Sequence, residues 1–261
     1  WLALFGPDWP WYLMLPGMVL LSMLAGGLWA VVAAIPKALW NINEIITTLM
    51  LNYIAILWIR YLVQGPWREG AFPFTAKFPP AATLPTLAGS RIHTGLYFAL
   101  VAAVILFFIL MRSKWGFEIR VIGSSISAAR YAGMNVFKNI LLTLFLSGSL
   151  AGLAGMAELS GVFHRLQDNL AAGAGYTAII IASLARGNPL FILLVSFLFG
   201  ALLLGGTSAQ TVGVSASIAA MLQGGILFFL LIGDFFLRYR MRRIVSDKTQ
   251  NQEVESQGND Q

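Results

Sequence analysis

The sequence predicts an all-α fold, a polytopic bundle of transmembrane helices, and three observations carry that prediction. Of the 261 residues, 58% are hydrophobic and 11% are charged, with a mean hydropathy of +0.76. A soluble domain of this size carries about 25% charged residues, so most of this surface does not face water. The apolar residues also fall in runs matching the roughly 20 helical residues that cross a bilayer. Finally, those runs do not alternate apolar with polar residues, as 98–111 illustrates. Lipid offers a backbone no hydrogen-bond partners, so the runs are helices and not strands of a barrel.

About seven membrane segments follow, over 13–35, 42–63, 95–111, 140–160, 174–185, 189–206 and 215–236. They form one membrane domain over 1–245, with a polar, disordered cytoplasmic tail over 246–261. The fifth segment is short for a full crossing at 1.5 Å per residue. It is either a tilted span or one arm of a helix broken at the turn Gly187-Asn188-Pro189. The chain begins at Trp1 inside an apolar stretch, without a methionine, which predicts further chain before it. Residues 1–11 lack the basic region of a signal peptide.

Orientation follows from Lys and Arg. With the first segment entering from outside, twelve of the seventeen basic residues lie on the inner side, Arg130 and Arg238 among them. The positive-inside rule fixes this sense. It places the loop 113–139 in the cytoplasm and 64–94 outside. The outer loop holds five of the ten prolines plus Trp67, Phe72, Phe74 and Phe78, a composition that predicts a lid over the outer mouth, not a solvated linker. The net charge of +6 does not indicate nucleic acid, because the basic residues sit at the ends of apolar runs. No cysteine is present, so disulfides and thiolate metal sites are excluded. Two distant histidines with no HExxH-type spacing give no metal site.

The second segment carries Asn43, Glu44, Thr47, Thr48 and Asn52 among apolar residues. At 100° per residue, Glu44, Thr48 and Asn52 fall within about 80° of arc. Such a stripe faces the bundle or a watery path, not lipid. An intramembrane carboxylate is by default a functional candidate. Against that, Glu44 lies near the cytoplasmic end, where it can pair with Lys37. In the last segment Gln223 is nearly central and must find a partner, another helix or a substrate. The fourth segment places Gly148 and Gly152, then Ala151 and Gly155, four residues apart, a spacing that lets helices approach closely. Glu158 lies near its outer end, to guard the mouth or pair with Arg165; His164, Arg165 and Asp168 cluster just beyond.

The inner loop is too long for a plain turn. Ser125 or Ser127 can cap a short helix there and Gly133 can end it. That helix, over 127–133, presents Tyr131 and Met134 on the cytoplasmic side, either to a groove on a partner or to the lipid surface. No phosphate-cradling G-x-x-x-x-G-K-[ST] occurs, so any ATP that drives this chain is bound by another.

The run Asn43-Glu44-Ile45-Ile46-Thr47-Thr48-Leu49-Met50-Leu51-Asn52-Tyr53 resembles the signature of permeases in the nucleoside and simple-sugar branch of the ABC importers, within the branched-chain amino acid and ribose-type permease superfamily. The inner loop is similar to the same family's Gly-x-x-Ile-Arg-x-x-Gly…Ala-Ala-Arg-Tyr-Ala-Gly motif, carried here by Gly116–Gly123 and Ala128–Gly133. Ser147–Gly155 and the Asn188-Pro189 turn are similar too. The likeness covers roughly residues 30 to 243. Members have about ten helices, and this chain has Ser124-Ser125 where the family often has a Leu or Ala and then Asn followed by Pro. The resemblance implies a permease subunit with no covalent chemistry and no cofactor of its own, in a bacterial cytoplasmic (inner) membrane. It implies partners: two cytoplasmic ATPase subunits holding ATP and Mg, a second permease, same or related, and an external substrate-binding protein. Ser127, Ala128, Ala129, Arg130, Tyr131, Ala132 and Gly133 become the coupling helix, with Ala128, Ala129 and Ala132 permitting close approach and Arg130 and Tyr131 as anchors. Asn43, Glu44, Thr47, Thr48, Asn52 and Gln223 become the substrate path. Two other classes stand beside this reading: a secondary transporter or channel, and an intramembrane lipid-modifying enzyme using Glu44, His164 and Asp168, which the predicted topology separates.

Overall fold

A computed structural model describes residues 10–86, 92–167, 173–211, 213, 215 and 217–238. The predicted tail, the start of the chain and Asp168 lie outside the described residues. Helix α1 spans Trp11–Trp40, α2 Glu44–Gln64, α3 Gly95–Arg112, α4 Lys114–Ser124, α5 Ile126–Tyr131, α6 Val136–Glu158, α7 Ala174–Leu184, α8 Pro189–Gln210 and α9 Ser217–Arg238. Every predicted segment is met by a helix. Among the described residues five helices are long and apolar enough to cross a membrane: α1, α2, α3, α6 with its extension, and α8. The chain is a multi-pass membrane protein of the all-α class. Helix α7 has only 11 residues, the short fifth segment that the sequence predicts. Two compact units are distinguished, 1–199 and 200–261.

Within the first unit the main packing is α1 against α6. Apolar side chains gain little from leaving lipid for one another, so helices associate where backbones approach closely. Here Ser22, Gly26 and Ala30 on α1 meet Gly148 and Gly152 on α6. A Cβ on Gly152 would overlap the Ser22 carbonyl oxygen, and one on Gly148 would overlap the Gly26 carbonyl oxygen and the Ala30 Cβ. Gly27 leaves room for the Phe145 ring and the Ser149 hydroxyl, each 2.6 Å from a Cβ built there. Ser149 is buried and donates to the Phe145 carbonyl at 2.9 Å.

Only half of the predicted small-residue pattern does this work. Ala151 and Gly155 are exposed, and nothing lies within 4 Å of a Cβ on Gly155. At 100° per residue the two pairs are offset by only about 60° around α6, and among the described residues the α1 contact falls on Gly148 and Gly152.

The outer loop behaves as a brace. Beyond α6 the chain makes one π-helical turn, Leu159–Phe163, ending at His164 with φ 55°. The segment 74–84 runs along it. Thr75 N–H donates to the Leu166 carbonyl (3.1 Å), Phe78 N–H to the His164 carbonyl (2.8 Å) and Leu84 N–H to the Ser160 carbonyl (2.9 Å). The Arg165 guanidinium lies 3.9 Å from the Phe74 ring centroid. The Glu158–Arg165 ion pair weighed from the sequence does not form; the aromatic ring takes its place. The short 3₁₀ turn Pro80–Ala82 packs on α1. The loop thus ties α1 to the far end of α6.

The seam yields a direct test. Gly152→Leu forces apart two backbones that have nowhere to relax, and overpacking costs about 1–3 kcal/mol or more. Its detergent-solubilised form is expected to melt several degrees lower, by fluorescence-detected size exclusion after heating. Gly155→Leu is expected to melt with the parent. Equal melting of the two variants refutes the assignment of the seam.

Candidate functional site

The α1–α2 junction is built by local chemistry. Helix α1 ends in a left-handed residue, Asn41 with φ 53°, whose N–H donates to the Lys37 carbonyl at 3.1 Å. Asn tolerates this conformation better than other side-chain-bearing residues. Two residues on, the Asn43 side chain accepts from Ile45 N–H at 3.0 Å and caps α2. The reversal brings Lys37 Nζ to 2.8 Å from the Glu44 carboxylate. Glu44 therefore has the simpler of its two readings, a pair with Lys37. Their side chains are 25% and 45% exposed, and exposed pairs contribute about 0.2–1 kcal/mol.

Along α2 the predicted polar residues differ in their partners. Thr47 donates to the Asn43 carbonyl at 3.1 Å and Thr48 to the Glu44 carbonyl at 2.8 Å, both one turn back. Asn52 is exposed on the helix. Of α2 only Val63 is buried, and its packing neighbour is α1. Among the described residues the helix packs on α1 and is otherwise exposed along most of its length. Gln223 lies on α9 in the second unit, and its side chain lies outside the described residues.

The inner loop holds two helices where the sequence predicts one. Ser113 ends α3 and begins α4, its hydroxyl accepting from Gly116 N–H at 3.0 Å. Gly116 is buried against the end of α3, where a Cβ would overlap the carbonyl oxygens of Ile109 and Leu110. Arg120 on α4 donates to that same Leu110 carbonyl. The far side of α4 is fixed to α6: buried Asn139 donates from Nδ2 to a Glu118 carboxylate oxygen at 2.9 Å and to the Asn135 carbonyl at 3.0 Å. Sequence reasoning missed this pair. A signal was present, since an asparagine four residues into an apolar helix needs a partner.

Helix α5 follows directly. Ser125, not Ser127, caps it, its hydroxyl accepting from Ala128 N–H at 3.3 Å. Gly133 closes it at φ 74°; its N–H donates to the Arg130 carbonyl and the Met134 N–H to the Ala129 carbonyl, both at 3.0 Å. This is the paired-bond helix stop that a left-handed glycine makes possible. The residues predicted as one contact surface divide. Ala129 is fully buried inside the chain, whereas Ser127, Ala128, Arg130, Ala132 and Gly133 are exposed and Tyr131 is 94% exposed. Ala129 seats the helix on its own chain and does not belong to the outward face. Chemically, the arrangement is a capped, projecting helix on a platform of α4 and α6.

At the opposite end Lys77, Phe78, His164 and Arg165 line an open depression of about 490 Å³. His164 and Arg165 are neighbours there, as predicted, on the opposite ends of the helices from Glu44.

Three comparisons place the chain among known proteins. Residues 2–231 match the family described as the permease component of the branched-chain amino acid transport system. The chain is 37% identical over 242 residues to the glucose ABC transporter permease protein TsgB13 of Haloferax volcanii, covering 87% of this chain and 64% of that protein. It is 33% identical over 245 residues to the guanosine ABC transporter permease protein NupP of Bacillus subtilis, covering 91% and 70%. With the nucleoside ABC transporter permease protein NupB of Lactococcus lactis the figures are 28% over 244 residues, 89% and 67%. The chain thus spans about two thirds of the length of these relatives. No solved structure matches it.

The Glu118–Asn139 contact sets up a second test. Asn139→Leu leaves a partly buried carboxylate without its donor, a loss of about 1–3 kcal/mol. Amide hydrogens of α4 and α5 are expected to exchange faster, by mass spectrometry, while those of 142–156 keep their protection. Glu118→Gln retains an acceptor oxygen and is expected to change little. Unchanged exchange in Asn139→Leu refutes the tether.

Proposed function

This chain belongs to the branched-chain amino acid transport system permease family, and on that premise we propose that it is the membrane-spanning subunit of an ATP-driven importer of nucleosides or simple sugars. The names of its relatives, glucose and guanosine permeases, support that substrate range. The observation that carries the reading is α5. A short helix that is capped at both ends, rooted by buried Ala129 and 94% exposed at Tyr131 is built to be pushed by something else. A transporter lacking a nucleotide site of its own needs such a contact. ATP and Mg belong to two partner ATPases, with a second permease, same or related, and an external binding protein completing the assembly.

On this reading α4, α5 and the α1–α2 junction lie on the cytoplasmic side of a bacterial inner membrane, an orientation that the distribution of basic residues supports. ATP-bound ATPases close on α5 and shift the balance between outward- and inward-open bundles. Helix α2, open along its length, supplies Asn52 and Thr48 to the path, with Gln223 from α9. Amide and hydroxyl groups suit the hydroxyl-rich surface that sugars and nucleosides share. Glu44 acts at the path's inner end through its pair with Lys37.

Vesicles carrying the partner subunits test this. Uptake is expected to need ATP; uptake driven by an ion gradient alone refutes the importer and favours a secondary transporter. Asn52→Leu is expected to slow ATP-driven uptake about fivefold, the scale of one hydrogen bond, with assembly intact. A cysteine at position 131 is expected to crosslink to the ATPase, and one at 127 to resist impermeant reagents from outside. Labelling of 127 in intact cells refutes the orientation.

A further inference from the structure

We propose that the cleft between the end of α1 and α5 binds the headgroup of an anionic phospholipid. The cleft is open and encloses about 860 Å³, within the range of small-ligand sites. Its polar lining includes Lys37, Ser127 and Arg130; its apolar lining includes Leu39, Ile126 and Ile140. That pairing of cations with aliphatic wall matches a phosphate attached to acyl chains.

Depth supports the assignment. Lys37 lies three residues before Trp40, the last residue of the apolar α1. Trp40 is exposed, and tryptophan gathers at the headgroup level. The cleft therefore opens where lipid phosphates lie. Basic pockets between helices on the cytoplasmic side are suited to such groups.

Charge supports it too. Glu44 takes part of the Lys37 charge through their 2.8 Å contact. Arg130 is exposed, and among the described residues it has no acidic partner. Its planar fork matches two phosphate oxygens at once. Inorganic phosphate would have the cations but no use for the apolar wall. The headgroup would sit between α1 and α5 and so help set the tilt of α5. The binding itself needs only that the chain lies in a membrane, so it stands apart from the importer reading.

The experiment is native mass spectrometry of the full chain in mild detergent, titrated with phosphatidylglycerol and phosphatidylcholine. The wild-type chain is expected to retain phosphatidylglycerol in preference. Arg130→Gln and Lys37→Gln are each expected to weaken retention about fivefold. Glu44→Gln, which frees Lys37, is expected to strengthen it, an effect that damage to the fold does not produce. Lys138→Gln, an exposed basic residue near the same end but outside the cleft, is expected to leave it unchanged. Equal retention of the two lipids, or an equal loss in Lys138→Gln, overturns the proposal. Displacement by millimolar inorganic phosphate makes the site one for free anions and overturns the lipid. Retention indifferent to Arg130, with Arg130 shielded from modification only when the ATPase is added, assigns the cleft to an acidic side chain of the partner and overturns it as well.

Discussion

The close approach of α1 and α6 is the constraint on which the rest of the first unit depends. In water two apolar helices would be driven together by burial; in lipid they are not, because the tails are as apolar as leucine. Gly26, Gly148 and Gly152 replace that drive with backbone contact, where many weak attractions act at short range. From this pair each other feature is hung. The start of α6 provides Asn139 for α4, and its end provides the turn that the outer loop braces. The end of α1 provides Lys37, and through it the entry to α2.

What could be read from the sequence was whatever depends on neighbours along the chain. Span positions follow from hydropathy, and a short helix near α5 follows from a serine cap and the Gly133 stop, because caps and left-handed stops are local. The sequence leaves Ser125 and Ser127 open as the cap and sets the helix over 127–133, where the structure has Ile126–Tyr131. The pairing of Glu44 with Lys37 was legible as one of two readings for the same reason, since seven residues and a tight reversal separate them. What could not be read depends on how helices face one another. Gly148 with Gly152 and Ala151 with Gly155 are the same motif one register apart, and only the position of α1 decides which pair packs. Ala129 looks like its neighbours Ala128 and Ala132 until α5 is laid on its platform. The Arg165 contact with Phe74 joins residues far apart in sequence and carries no local signal. The substrate-path assignment rests on motif and polarity, and Gln223 adds nothing structural to it because its side chain lies outside the described residues.

The polar residues of α2 illustrate how a membrane helix carries hydrophilic groups. Thr47 and Thr48 satisfy themselves on the preceding turn, which removes their need for a partner while leaving their oxygens able to accept. Asn43 is spent on the cap. Asn52 sits deeper, and its amide has both donors and an acceptor to satisfy. An exposed amide at that depth fits water, substrate or another helix, and does not fit lipid tails. Of the predicted stripe, Asn52 is therefore the residue whose chemistry points most directly outward from this chain.

The two kinds of joint in the first unit differ in stiffness, and the proposed transport cycle turns on that difference. Between α1 and α6 the contact is backbone on backbone, and a packed interface of this kind moves as a body or separates; it does not stretch. Between α4 and α6 the tether is a hydrogen bond from buried Asn139 to the partly buried Glu118 carboxylate with further contacts beside it, and α4 is fixed again to α3 at Gly116 and Arg120. A force on α5 therefore reaches α6 and α3 together through α4, and α1 moves with α6. Helix α2 is different. Among the described residues it has no such seam along its length, and it is joined to α1 at its start by a left-handed asparagine and a partly exposed ion pair, a contact weak enough to break and re-form. Under the proposed reading, the rigid pair is the lever and α2 the element that yields, and the junction between them is where access to the path changes.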